Sequence, residues 1–252
     1  MAKPISLQLY SVREEAAKDF PGVLKRVAAM GYVGVEYAGL HGLSAKEVAK
    51  IVGDLGLKSS SAHVGLPTRQ TIDQMAADAG ALGYTHLIGG FGPDDMKTED
   101  SVRACAAKLA EGADLAKSVG LKFGMHNHWW EFDRQFGGQT PYEIILSEAP
   151  NLFSELDIYW CCHGGADSIG VTRQWASRIP LLHIKDGDLT NPPVHKAVGE
   201  GKVPVRATVE AADPKVLEWL IVELDNCATD MMEAVAKSVR FLGESGIGRA
   251  RK

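Results

Sequence analysis

Four apolar runs in the second half of this sequence end in side chains that a packed interior would not select. They are Met125-His126-Asn127-His128-Trp129-Trp130-Glu131, Glu155-Leu156-Asp157, Leu182-His183-Ile184-Lys185-Asp186 and Val222-Glu223-Leu224-Asp225. Each places a carboxylate or an imidazole at the end of an aliphatic stretch. Side chains alternate across a strand, so His126 and His128 share one face, as do His183 and Lys185. Such groups are costly to desolvate unless they are paired or bound to a metal. Two carboxylates, Asp157 and Glu223, converging with imidazoles on one axis suit a divalent ion such as Mn²⁺, Co²⁺, Zn²⁺ or Mg²⁺. In the first half, Gln8, Glu36 and His63 stand on three further runs. A lone histidine at a strand end is more often structural, and His41, His86, His163 and His195 are read that way. Four ionisable ends in succession are harder to explain by independent structural reasons.

Positioning these groups requires strands at regular intervals, and the sequence supplies them. β-like runs at residues 5–10, 33–37, 58–63, 85–89, 121–127, 153–157, 180–184 and 219–224 alternate with segments of helical periodicity. In residues 20–30, for example, Phe20, Val23, Leu24 and Val27 fall on one helix face. Ser44-Ala45-Lys46-Glu47 has the form of a capping box. Thr140-Pro141-Tyr142-Glu143 adds proline at the first helical position, and Asp213-Pro214 repeats that device. Gly31, Gly56, Gly83 and Gly120 each stand just past a helix end, where a left-handed residue closes the last turn. Eight strand–helix units of about 30 residues predict an α/β fold, a (β/α)8 barrel with residues 1–252 as a single domain. A doubly wound open sheet lacks support, because no Gly-x-Gly-x-x-Gly follows the first strand. In a barrel the chemistry sits at the C-terminal strand ends. Residues 186–203, polar and glycine-bearing, read as one long loop.

Composition narrows the function classes. With 252 residues, 45% hydrophobic and 23% charged, the chain has the balance of a globular protein rather than a disordered, collagen-like or coiled-coil one. The net charge of −5 argues against a nucleic-acid partner, whose phosphates need clustered cations. No apolar run approaches the ~20 residues that span a bilayer. Met1-Ala2-Lys3-Pro4 leads straight into a strand-like run, which predicts no signal peptide. The four cysteines, Cys105, Cys161, Cys162 and Cys227, match no zinc-finger spacing and read as reduced thiols of a cytoplasmic protein. Any metal therefore falls to histidine and carboxylate.

Taken in order, several segments resemble the sugar isomerase/epimerase superfamily with the xylose-isomerase-like TIM barrel, and within it the sugar phosphate isomerase/epimerase branch. They are Gln8-Leu9-Tyr10-Ser11-Val12-Arg13, Gly31-Tyr32-Val33-Gly34-Val35-Glu36-Tyr37, His126-Asn127-His128 with Glu131-Phe132, Leu156-Asp157-x-Tyr159-Trp160, Leu182-His183-Ile184-Lys185-Asp186, Val198-Gly199-Glu200-Gly201 and Val222-Glu223-Leu224-Asp225. The resemblance implies one divalent cation, Mn²⁺ foremost, held by strand-end ligands in the order Glu, Asp, His, Glu. The last three fall on Asp157, His183 and Glu223. The first falls on His126, a departure from the pattern: either His126 replaces it, or His128 or Glu131 swings in from the following loop.

The implied chemistry is removal of a proton next to a sugar carbonyl through an enediolate, giving isomerisation or epimerisation. Glu223 would be the base, with His128 and Glu131 on the opposite face and Lys185 neutralising the oxyanion. Gln8, Glu36, His63, Trp129 and Trp160 are expected around a sugar or keto-sugar, the tryptophans either as packing or as a wall against the sugar face. A second reading is a lyase that cleaves a 3-keto-glycoside by β-elimination. A third is a non-catalytic sugar-binding or partner subunit. An abasic-site endonuclease would need more metal ligands and a basic face. Glu200 beside Gly199 and Gly201 would repel a phosphate, which favours a free or glycosidic sugar. Homo-oligomers and heteromeric partners are both compatible with the sequence.

Overall fold

A computed structural model describes residues 2–251. In chain order the strands are β1 (Lys3–Gln8), β2 (Gly34–Tyr37), β3 (Lys58–His63), β4 (His86–Gly89), β5 (Lys122–His126), β6 (Phe153–Asp157), β7 (Leu181–Ile184), β8 (Asp186–Gly187), β9 (His195–Lys196), β10 (Trp219–Val222) and β11 (Gly248–Arg249). The helices are α1 (Arg13–Ala16), α2 (Phe20–Met30), α3 (Ala45–Asp54), α4 (Ile72–Leu82), α5 (Glu99–Ser118), α6 (Pro141–Glu148), α7 (Ile158–His163), α8 (Ser168–Gln174), α9 (Val205–Ala211) and α10 (Met231–Glu244). Strands β1 to β7 and β10 are parallel, and pairing of β10 with β1 closes them into an eight-stranded barrel. This is the expected (β/α)8 fold.

Local signals act as expected in most places. Phe20, Val23, Leu24 and Val27 of α2 are all buried. Both capping boxes form, Ser44 with Glu47 and Thr140 with Glu143. The four glycines past helix ends have φ of 102°, 64°, 82° and 79° at Gly31, Gly56, Gly83 and Gly120, a backbone that side-chain-bearing residues resist. No helix among the described residues is long and apolar enough to cross a membrane.

Three expectations need correction. Asp213-Pro214 opens only a turn, with the Leu217 N–H bonded to Asp213 O at 2.9 Å. The span from the end of α9 at Ala211 to β10 at Trp219 leaves no room for a helix. The first strand stops at Gln8 because its side chain accepts the Tyr10 N–H at 2.9 Å and turns the chain into a 3-10 segment. The stretch 186–203 is not merely a loop: β8 and β9 pair antiparallel within it. Asp186 organises it by accepting backbone N–H groups of Gly187, Gly199, Gly201 and Val203 at 2.8 to 3.1 Å.

Candidate metal centre

Asp157 ends β6 and begins α7. Its Oδ1 accepts the Trp160 N–H at 2.8 Å as a helix cap. Asn127, just past β5, clamps its backbone from the side: the Asp157 N–H donates to Asn127 Oδ1 at 2.9 Å, and Asn127 Nδ2 donates to Asp157 O at 3.1 Å. Capped and clamped, Asp157 has only Oδ2 left to offer. Its register partner on β7 is His183. His183 Nδ1 lies 3.1 Å from Glu223 Oε2 and 3.9 Å from Asp157 Oδ2. His126 Nε2 lies 3.4 Å from Asp157 Oδ2 and 3.9 Å from Glu223 Oε2. One donor atom from each of His126, Asp157, His183 and Glu223 thus falls within 4.8 Å of all the others, every residue buried.

Two observations fit this set to a divalent cation. Asp157 Oδ2 and His126 Nε2 are buried, face each other and take part in no hydrogen bond. Asp157 Oδ2 has the Lys185 ammonium 3.0 Å away as a partner in charge, whereas a buried imidazole nitrogen such as His126 Nε2 rarely stays unsatisfied in a folded protein unless something else binds it. Charge agrees: three carboxylates, Asp157, Glu223 and Asp225, surround the single ammonium of Lys185. Burial raises the Asp157 carboxyl, but the Lys185 ammonium and the His126 and His183 rings outweigh it and hold it below the usual range. Glu223 is likewise held well below its usual value, burial being outweighed by Lys185 and His183. Burial lowers the His126 imidazole and keeps it neutral, with a lone pair to give. Two imidazoles and two carboxylates are the donor set of a borderline ion. Of the three alternatives at strand five, His126 is the side chain brought to the cluster.

Beneath this cage lies a second polar layer. His183 Nε2 is 2.7 Å from Glu36 Oε1 and 3.1 Å from Glu155 Oε2, and His63 Nε2 is 2.7 Å from Glu155 Oε2. Gln8 Nε2 donates to Glu36 Oε1 at 2.7 Å, and the Ser61 hydroxyl donates to Glu36 Oε2. The layer fixes the ring of His183 so that Nδ1 points into the cage, the usual work of carboxylates behind a metal-binding imidazole. Burial raises the His183 ring's barrier to charge, yet Glu155, Glu36 and Glu223 hold its pKa well above the usual value. A cation at Nδ1 would displace a proton there. Burial, with the charge of Glu36, pushes Glu155 up to about 8.

Several expected site residues sit elsewhere. Gln8 and Glu36 are fully buried in the lower layer, bonded to each other, and stand outside the lining of the cavity described below. Glu131 does not swing toward the cage: buried, it accepts the His128 N–H at 2.8 Å, and burial pushes it up to about 8. Lys185 is buried with its ammonium among three carboxylates rather than facing open space. His63 and His128 do line open space, a cavity of about 540 Å³ shared with His126, Trp130 and Gly89-Gly90-Phe91-Gly92. His128 stacks on Trp130 at 4.1 Å, and burial lowers it to about 2, so the ring is neutral. Trp129 and Trp160, 5.0 Å apart, pack beside the cage and lie outside that cavity's lining. His195 is structural as expected, its Nδ1 accepting the Asp225 N–H at 3.0 Å.

Glu155 and Asp225 stand in the strand-end runs quoted above, but the sequence singles out neither as a site residue. Each lies two positions from a proposed ligand, Asp157 or Glu223, so strand alternation could have placed them on the same face.

Comparison with known proteins agrees with the fold. A sugar phosphate isomerase/epimerase from Parabacteroides distasonis superposes with a TM-score of 0.81 at 24% identity, over 99% of this chain and 96% of that one. An L-ribulose 3-epimerase gives 0.70 at 19% identity, over 98% and 95% of the two chains. The IolI protein with a bound zinc atom gives 0.72 at 14% identity, over 96% and 97%. No curated protein matches the sequence. The model of the xylose isomerase-like TIM barrel family matches residues 24–244. With its closed parallel barrel and that match over most of its length, the chain belongs to the xylose isomerase-like TIM barrel family.

Proposed function

We propose that this protein is a divalent-metal-dependent isomerase or epimerase of a sugar or keto-sugar. The observation that carries the reading is the buried cage of His126, Asp157, His183 and Glu223, two of whose atoms face each other without a hydrogen bond. It opens toward a cavity of about 540 Å³ through His126, a size that suits a small ligand. The zinc in IolI and the reaction named for L-ribulose 3-epimerase, both on this fold, support it.

When bound, Mn²⁺ or a similar ion would supply Lewis-acid polarisation of a sugar carbonyl and its neighbouring hydroxyl, favouring an enediolate. The protein's own groups do the rest. Glu223, held ionised by Lys185 and His183, accepts the proton α to the carbonyl. His128, neutral and stacked on Trp130, lines the cavity and offers an uncharged ring to a substrate there. Glu131 holds the His128 backbone in place. Lys185 stabilises the ionised carboxylates from behind.

The substrate we favour carries no phosphate. The backbone N–H groups of Gly199, Gly201 and Val203, which such a loop would offer to a phosphate, already hold the Asp186 carboxylate. The test is incubation of manganese-loaded protein with free ketoses and with 3-keto-glycosides in D₂O. Deuterium incorporation without cleavage supports this reading, and release of aglycone replaces it with β-elimination. Protein that neither exchanges nor retains metal is a binding module.

A further inference from the structure

Lys185 is one of the largest fully buried side chains of the protein, and it lies one residue past β7. Its Nζ donates to Asp225 Oδ2 at 2.6 Å. It also stands 3.0 Å from Asp157 Oδ2 and 2.9 Å from Glu223 Oε2. Asp157 Oδ2 nevertheless accepts no hydrogen bond. The ammonium is thus hydrogen-bonded to Asp225 and ion-paired with the other two carboxylates. Those two carboxylates are the anionic half of the cage. An ammonium and a divalent ion sharing the same pair of oxygens in a buried site repel strongly, with nothing between them to screen the charge. Asp225, 29% exposed, lies toward the rim, and the Trp160 ring sits 5.1 Å from Nζ as a second resting place for a cation.

We propose that Lys185 is the resident counter-cation of the metal-free centre: its ammonium neutralises Asp157 and Glu223 until a divalent ion takes both over and leaves it paired with Asp225. Occupancy is then a competition between two cations, one of them tethered. The proposal rests on the metal-centre reading above. It gives the two carboxylates of the cage a counter-charge in the absence of an ion, and it predicts that the tether weakens metal binding.

The experiment compares wild type with Lys185→Met after chelation, titrating Mn²⁺ by calorimetry and melting both proteins with and without the ion. Lys185→Met should bind Mn²⁺ at least about tenfold more tightly. Its metal-free melting temperature should fall, and its rise on adding Mn²⁺ should exceed that of wild type. Equal or weaker binding, or an equal drop in both states as a purely structural lysine would give, overturns the proposal. Should Lys185→Met not fold without metal, Asp225→Asn decides. With its anchor weakened, the ammonium leans on Asp157 and Glu223, so Mn²⁺ should bind less tightly. Unchanged or tighter binding overturns the proposal. Wild type that takes up no divalent ion overturns the centre itself and with it the proposed function. Wild type that binds Mn²⁺ while Lys185→Met gains nothing overturns this inference alone.

Discussion

Replacing Asp157 by asparagine separates its two jobs, because one oxygen caps a helix and the other faces the cage. The amide side chain of Asp157→Asn would keep an oxygen for the Trp160 N–H now bonded to Oδ1 at 2.8 Å, and asparagine caps about as well as aspartate. Lys185 would keep Glu223 and Asp225, so no buried charge is left alone. Asp157→Ala loses the cap as well, at about 1 kcal/mol. For a chain of this size that separates the two metal-free melting temperatures by about 2–4 °C, the asparagine variant higher.

The cage responds differently. Loss of a ligating charge should cost metal affinity at least the ~100-fold that removal of a supporting outer residue can cost. At an ion concentration about a hundred times the wild-type Kd, bound metal stabilises by about 2.7 kcal/mol, and a hundredfold weaker site retains about 0.4 kcal/mol. The metal-induced rise in melting temperature should therefore shrink from about 5–11 °C to about 1–2 °C in both variants. Circular dichroism melts with and without Mn²⁺ measure all four numbers. A full metal-induced shift in Asp157→Asn, or identical metal-free melts of the two variants, refutes the assignment of one oxygen to each job.

Glu223→Gln should lose both proton exchange and metal retention; an active, metal-replete Glu223→Gln protein, assayed by deuterium uptake and elemental analysis, would contradict its double role. Glu131, raised by burial to about 8, binds its proton more tightly folded than unfolded, so its contribution to stability is full at low pH and declines between about 4.3 and 8. Glu131→Gln should flatten that decline in a series of melts from pH 5 to 9, and parallel profiles for variant and wild type would count against it. Asp186→Ala strips acceptors from four N–H groups and should cost at least about 3 kcal/mol, given about 1–3 kcal/mol per unsatisfied buried group. Added phosphate should raise the melting temperature of Asp186→Ala more than that of wild type, and an equal rise in both would show the loop's N–H groups to be otherwise occupied.

Much of the architecture is legible because its signals are local. The β6 run at 153–157 and the β3 run at 58–63 coincide with the strands, and the capping boxes at Ser44 and Thr140 form as expected. Asp157, His183, Glu223 and His126 are recognisable as charged ends on apolar runs, and the barrel brings them together. Glu36, Gln8 and Glu131 depart from expectation for a common reason. Their sequences show an ionisable or polar group near the end of an apolar run but not which neighbour satisfies it, and each finds its partner inside the protein. Asp186 reads as part of a polar loop, yet its carboxylate gathers N–H groups up to 17 residues away.

The sequence by itself determined the alternation of strand and helix, most of the points where each begins and ends, and which face of each strand carries chemistry. Those follow from periodicity, caps and glycine positions, all of short range. Depth in the barrel was decided only by tertiary structure. Pairing sets Asp157 beside His183 but His126 beside Glu155, so residues on matching faces of neighbouring strands fall into different layers. That stagger, a property of the closed sheet and of no single strand, separates the cage that would hold an ion from the carboxylates that orient it.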